Sequence, residues 1–536
     1  MLRSGRLPVL FVFHGSACAS SAHEKNRGSC LVIRCTANRQ YRCTLSEKSH
    51  KHILKTTGII GGSQVITIAV GILRTKFVAI LLGPAGFGLV GLFQSIIELI
   101  RSITSFGIDF SAVRDIAEST AEKDREKITR TYAVVYRLTL ITGVLGAFVS
   151  IVFAPVFSHF TFGDTSYSFM VGLLSVSLVA DAIVGGKSAL IQGMMQISKI
   201  AKVKILLSVL SLVVAVPLYY FFRLDAVVPV IILNSLMSLI LFSLYAEKID
   251  FRAVRISLKE AFREGFGMIK LGFYTEFVTF LSMLTMYIVK VFLTGKGGVE
   301  YVGYFQAAWS FSMTYLGAVL TAMSTDFFPR LSSVNKDSEK VRGMVNDQTE
   351  MVLFLAGPII IGMLTFMPLV IRIFYSDEFI QTVNILQWQM MGDFLKVLSW
   401  PIGMILLAKN ISRTFILVEV TWLLLFLSGI YVGWDMFGLD VTGISFFVSH
   451  LIYFCILVVV VNKSVMFRYN AGTLRFIFLY GSIAVLAFLN GMLLEGVLRY
   501  AIGTGLTVLV AVISLYFINK YVDLAGLVRK KLGLPG

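Results

Sequence analysis

Val90-Gly91-Leu92-Phe93-Gln94 and Val302-Gly303-Tyr304-Phe305-Gln306 are one phrase written twice. Each follows a glycine-rich turn, and a lysine, Lys76 or Lys290, stands before each turn. Asp109-Phe110 with Arg114 recurs as Asp326-Phe327 with Arg330. Asp181, followed by Gln196-Ile197-Ser198-Lys199, recurs as Asp393, followed by Asn410-Ile411-Ser412-Arg413. The fragments keep their order at an offset of about 212 to 217 residues, which marks an internal duplication. A duplicated helical membrane unit is the usual plan of a secondary transporter, with its site at the seam between the halves.

Composition agrees. The 536 residues are 56% hydrophobic and only 15% charged, and the mean hydropathy is +0.81, which places the chain among polytopic membrane proteins. Apolar runs of about 20 residues, each able to cross roughly 30 Å of hydrocarbon as a helix, recur along it. They fall near 57–82, 87–111, 131–154, 168–190, 203–222, 226–246, 268–293, 301–323, 350–371, 382–408, 414–432, 440–462, 473–493 and 498–518. The expected fold is therefore all-α, with about fourteen transmembrane helices. These make two parallel six-helix bundles, over 53–250 and 251–465, and an appendage of two helices and a basic tail over 466–536.

The net charge of +17 does not point to nucleic acid, because the Lys and Arg collect in alternate loops. Arg114–Arg130, Lys187–Lys204, Lys248–Lys270, Arg330–Arg342 and Lys463–Arg475 are basic, and the loops between them are nearly bare. By the positive-inside rule both ends of the membrane domain lie in the cytoplasm. Residues 1–52 read as a non-membrane leader. The favoured reading is a start placed upstream of the protein proper, beside a disordered leader or a cleaved signal at Leu7–Ser20. Cys18, Cys30, Cys35, Cys43 and Cys455 fit no zinc spacing. No GxxxxGK[ST] loop, HExxH or GxSxG motif occurs, so neither an ATP-driven pump, a metal site, a cofactor nor an enzyme is expected.

Ionisable groups inside the spans are the site candidates, since a charge at mid-bilayer costs several kcal/mol unless it faces protein or water. The bases Arg74, Lys76, Arg101, Lys290 and Lys396 are candidates for substrate binding, and guanidinium and ammonium groups suit phosphate. Arg74 and Lys76 stand about 200° apart on their helix, so at most one faces a cavity. Lys76 and Lys290 lie close enough to the span ends to snorkel. Glu98, Asp109, Asp181, Glu276, Asp326, Asp393 and Glu419 are candidates for ion coupling or gating. Glu98 with Arg101 and Asp393 with Lys396 are three residues apart and share a helix face, which allows self-pairing or substrate contact. Asp109 and Asp326 are placed to pair with Arg114 and Arg330.

Two further stretches carry a family resemblance. Leu82-Gly83-Pro84-Ala85-Gly86-Phe87-Gly88 resembles the turn of Wzx-type O-antigen translocases. Trp388-Gln389-Met390-Met391-Gly392-Asp393-Phe394-Leu395-Lys396, with Leu407-Ala408-Lys409 and Glu419-Val420 beyond it, is similar to a segment of the lipid III flippases of enterobacterial common antigen. Both belong to the multidrug/oligosaccharidyl-lipid/polysaccharide exporter superfamily. The resemblance implies two bundles in a V around a cationic cavity in the bacterial inner membrane. It implies undecaprenyl-pyrophosphate-linked oligosaccharide as the substrate, the lipid bilayer as its setting, and a polysaccharide polymerase and chain-length regulator as partners. A multidrug cation antiporter of the MATE type is the alternative on the same fold. A major-facilitator carrier and a non-transporting scaffold for polysaccharide assembly are further readings.

Overall fold

A computed structural model describes residues 37–122, 124–246 and 256–522. The leader assigned to 1–52 lies outside them up to residue 36. Thr56–Gly536 form one compact unit, and Met1–Lys55 form a separate one that is helical from residue 37. The described residues contain no strand. Their helices are α1 (Ala37–Thr104), α2 (Ile108–Ala121), α3 (Arg125–Val152), α4 (Ala154–Phe162), α5 (Ser168–Gly193), α6 (Ile197–Phe222), α7 (Val227–Tyr245), α8 (Leu258–Ser333), α9 (Ser338–Phe374), α10 (Thr382–Ala408), α11 (Ser412–Phe437), α12 (Val441–Val465), α13 (Ala471–Leu493) and α14 (Gly496–Val522).

Ten segments are long and apolar enough to cross a membrane. Four of them, Gly62–Thr104, Ile197–Tyr245, Glu276–Thr321 and Ser412–Val465, run 43 to 54 residues. At about 1.5 Å per residue each is twice the length that one crossing needs. Each is also broken near its middle by a residue at positive φ: Gly83 (φ 64°), Arg223 (φ 50°), Gly298 (φ 73°) and Gly438 (φ 54°). Counted as double crossings, they bring the described spans to the fourteen expected. Large apolar side chains left exposed along them, such as Val65, Phe148, Leu424 and Val512, suit contact with lipid.

The breaks carry the duplication into the backbone. Gly83 (φ 64°, ψ −171°) and Gly298 (φ 73°, ψ −173°) share one conformation and stand 215 residues apart. Arg223 (ψ −125°) and Gly438 (ψ −135°) do the same at the same offset. So do Met195 (φ 58°) and Asn410 (φ 61°), just past α5 and α10. Asp124 and Asp337 cap α3 and α9 in the same way, each accepting the second and third backbone N–H beyond it. The repeated phrase Val-Gly-x-Phe-Gln runs at an offset of 212, three residues short of this register. Gln306 therefore corresponds in space to Gly91, not to Gln94, and packs on that glycine.

α3 packs on α5, and α5 packs on α2 and α7. α10 packs on α9 and α12, and α11 packs on α12. α13 and α14 dock on α9, where Phe354 stacks on Phe517 (5.5 Å, 12°) and Tyr480 Oη bonds Ser514 Oγ at 2.6 Å. The start of α8, ahead of its first span, is held by Arg130 of α3, which grips the Glu264 carboxylate at 2.7 and 3.1 Å. That hydrogen bond and charge keep Glu264 below the usual carboxylate range. A lowered acid stabilises the fold above its unfolded pKa and loses that contribution as pH falls through its folded value. Melting temperature should therefore fall as pH drops below about 4.3, the ordinary glutamate value, and Glu264→Gln should lose less over the same window. The effect is small, because the pair is exposed.

Candidate functional site

α8 closely approaches α1 at one level and the turn between α1 and α2 at another. At the level of Gly83, a Cβ on Gly88 would overlap the Val299 carbonyl, and a Cβ on Gly303 would overlap the Pro84 carbonyl. The two contacts are reciprocal under the 215-residue register. On the basic-loop side, Gly107 and Gly272 meet backbone to backbone in the same way. Only glycine allows main chains this close. Residues that lie between these levels on the two helices, Gln94, Glu98, Lys290 and Gln306 among them, face two cavities.

The first cavity, about 410 Å³, lies between both spans of α1, α6, α7, the second span of α8 and α9. Its lining mixes apolar side chains with neutral polar ones, among them Gln64, Thr67, Thr75, Asn234, Ser310 and Tyr315. Among the described residues, Arg74 is the one Lys or Arg in it, and no carboxylate lines it. Arg74 Nη1 donates to Ser211 Oγ at 2.8 Å.

The second cavity, about 550 Å³, is enclosed by α1, both spans of α8, α10, α11 and α12. Lys290, Lys396, Glu98 and Glu419 line it beside Trp309, Trp400, Trp422 and His450. Glu419 Oε1 accepts from Tyr453 Oη at 2.7 Å. His450 Nδ1 lies 3.0 Å from Trp422 Nε1 and 2.9 Å from the Phe446 carbonyl; it accepts from the indole N–H in one tautomer and donates to the carbonyl in the other. Trp422 stacks on Phe426 (5.7 Å, 3°), and Trp309 is held between Phe426 and Phe446. The cavities meet at Gln94 and Gln306, which line both.

Lys290 is 6% exposed, and its Nζ donates to Ser95 Oγ at 2.6 Å and the Gly91 carbonyl at 3.1 Å. It does not snorkel. Lys76, its sequence counterpart, points elsewhere and donates to the Arg372 carbonyl at 2.6 Å, outside both cavities. The reason is register. Lys76 stands seven residues before its helix break and Lys290 stands eight before its own, and one residue is about 100° of helix.

The expected ion pairs rearrange. Arg101 bonds Asp109 at 2.7 Å rather than Glu98, because α1 ends at Thr104 and Asp109 opens α2 instead of closing the span. Arg114 pairs with Asp115 at 2.7 Å, not with Asp109. Asp326 and Arg330 do pair, at 2.9 Å, on the exposed end of α8. Asp393 is fully buried and bonds Ser312 instead of Lys396. Lys396 Nζ instead meets Met313 Sδ at 3.6 Å and turns to the second cavity. Arg101, Asp109, Asp181 and Glu276 form a separate cluster on the basic-loop side, in which Arg101 bonds Asp109. Of the twelve residues singled out from sequence, five reach the two large cavities: Arg74, Glu98, Lys290, Lys396 and Glu419.

Sequence reading missed Trp309, Trp422, His450 and Tyr453. Aromatic residues are ordinary in membrane helices, so they carried no signal by themselves. The i,i+4 spacing of Trp422 with Phe426, and of Phe446 with His450, was the available clue.

Residues 77–384 match the family described as Polysaccharide biosynthesis protein. The lipid III flippase of Escherichia coli (strain K12) is 25% identical over 365 residues, covering 67% of this chain and 86% of that protein. In fold, the chain is similar to the lipid II flippase MurJ in its inward closed conformation. That match has a TM-score of 0.66 at 13% identity and covers 88% of this chain and all of that one. It is also similar to a MATE family multidrug transporter of the MOP superfamily, inward-facing, with a TM-score of 0.61 at 15% identity over 75% of this chain and 95% of that one.

Proposed function

Because this chain belongs to the polysaccharide biosynthesis protein family, we propose that it is a flippase for undecaprenyl-pyrophosphate-linked oligosaccharide in the bacterial inner membrane. The observation that carries this is the pair of adjacent cavities between membrane-spanning helices, sharing Gln94 and Gln306 and lined by the bases Arg74, Lys290 and Lys396. Charge within the bilayer is costly unless it faces protein or a water-filled cavity, and here the bases line cavities. The polyprenyl tail stays in lipid while the diphosphate and sugars cross through the cavities. The halves 53–250 and 251–465 rock about the glycine contacts of α1 and α8, with both ends of the membrane domain in the cytoplasm. Glu98 and Glu419, which share the second cavity with the lysines, are the carriers of a coupled ion. The cluster of Arg101, Asp109, Asp181 and Glu276 serves as a gate on the basic-loop side. Lys76, Asp326 and Asp393 act as structural contacts.

Deletion of the gene should leave undecaprenyl-linked repeat units accumulating on the inner leaflet, read by mass spectrometry of the cell lipids. Unchanged lipids would remove the reading. The two carboxylates of the second cavity keep the multidrug cation antiporter as a second reading. It predicts that cells lacking the gene become sensitive to cationic dyes while their lipid-linked sugars stay normal.

A further inference from the structure

The second cavity differs from anything in the first half of the chain, although the two halves share a backbone plan. Where it has Trp309, Glu419, Trp422, His450 and Tyr453, the positions 215 residues earlier hold Gln94, Lys204, Leu207, Ser235 and Ser238. The first half folds without this set, so the fold does not require it.

The charges of the two cavities also differ. Among the described residues the first has one base and no acid. The second has two lysines and two glutamates, so its lining is neutral as a whole, with His450 Nδ1 between the Trp422 indole N–H and the Phe446 carbonyl. A diphosphate is drawn to positive charge that nothing nearby opposes. That favours Arg74 and disfavours a cavity in which two carboxylates repel it. A sugar ring has other needs. Its hydroxyls both donate and accept, and its apolar face packs on an aromatic ring.

The second cavity offers these features in fixed positions. Trp422 is held by its stack on Phe426 and its bond to His450, and Trp309 is held by Phe426 and Phe446. Lys396 Nζ has only the Met313 thioether, a weak acceptor, as a hydrogen-bond partner among the described residues. Glu419 accepts from Tyr453 through Oε1. At about 550 Å³ the space lies within the range of small-molecule sites.

We infer that the second cavity is a glycan subsite. Pyranose rings of the lipid-linked substrate stack on Trp309 and Trp422 and bond to Lys396, Glu98 and Glu419, while the diphosphate stays with Arg74 in the first cavity. Gln94 and Gln306, on the wall shared by both, lie where the first sugar joins the phosphate. Lys396 is then a partner of sugar oxygens, and the two lysines offset the charge of the two glutamates without pairing directly with them. This inference rests on the flippase reading for its substrate, but it is tested by binding alone.

Detergent-solubilised protein is offered equal amounts of undecaprenyl diphosphate and undecaprenyl diphosphate carrying one N-acetylglucosamine. The bound ratio is read by native mass spectrometry. Wild-type protein should favour the glycolipid by roughly tenfold, the scale of one aromatic face plus hydrogen bonds. Trp422→Leu, the residue found at the matching place in the first half, and Glu419→Gln should each bring the ratio toward one. Arg74→Gln should weaken both lipids together and keep the ratio. Equal binding of the two lipids by the wild type overturns the subsite, as does a ratio that both Trp422→Leu and Glu419→Gln leave in place. Flux of the same lipids across proteoliposomes is scored separately. A ratio that falls in the variants while wild-type protein moves neither lipid leaves the subsite standing and removes the flippase reading.

Discussion

Gly303→Val should destabilise the protein by about 1–3 kcal/mol and stop transport, and Gly88→Val should do the same. The cause is backbone against backbone. A Cβ at Gly303 meets the Pro84 carbonyl, and one at Gly88 meets the Val299 carbonyl. No side-chain rotation relieves either overlap, so α1 and α8 must separate at the Gly83 level. Closure there is half of any alternating-access cycle, which is why flux should fall further than stability alone would take it. Gly317 is the control. It lies on the same helix, a Cβ there meets nothing within 4 Å, and Gly317→Ala should cost nothing and gain up to about 1 kcal/mol from helix propensity. Thermal melting in detergent and lipid flux in proteoliposomes decide the matter. Wild-type values for both valine variants would mean that these helices are not in contact.

Arg74→Gln should lower translocation of undecaprenyl diphosphate by roughly 30-fold to 1,000-fold, the range for removing one charge from a buried, hydrogen-bonded ion contact. Among the described residues, Arg74 is the one Lys or Arg on the first cavity, with no carboxylate lining it and a single Ser211 hydroxyl bonded to Nη1. The rest of its planar fork is therefore available for a bidentate contact with phosphate oxygens. Arg74→Lys should retain part of the activity, since it keeps the charge and loses the fork. Normal flux in Arg74→Gln would take the diphosphate out of the first cavity. Lys76→Gln, two residues on, should have little effect, because Lys76 donates to the Arg372 carbonyl outside both cavities.

The span boundaries were legible because each crossing must be apolar over a fixed length. α5 and α10 came out within a few residues of their expected limits. Span two was read too long. Its apolar run continues past the break at Ser105–Gly107, and hydropathy does not register a change in backbone direction. The duplication was legible too, but its register was not. The shared phrase gave 212, whereas the paired glycine breaks give 215. Three residues leave a side chain about 60° from its old direction. That was enough to make Gln94 and Gln306 look equivalent.

Partners were the least legible feature. Asp393 and Lys396 share a helix face, yet Asp393 bonds Ser312 and Lys396 meets Met313, both on α8. Arg101 passes over Glu98, three residues away, for Asp109 beyond a helix end. The residues fixed that charges would be buried. Which groups lie within 3 Å of those charges depends on the packing of helices far apart in the chain.

By itself, then, the sequence determined a duplicated all-helical membrane chain, its crossings and the handful of charges inside them, because each is a local property of length, polarity and order. Tertiary structure alone decided that, among the described residues, Arg74 stands unopposed in one cavity while two lysines share the other with two glutamates and three indoles. That sorting depends on helix rotation and on backbone contacts between glycines 215 residues apart. A rotation of one residue turns a side chain by about 100°, and with it from cavity to lipid or packed protein.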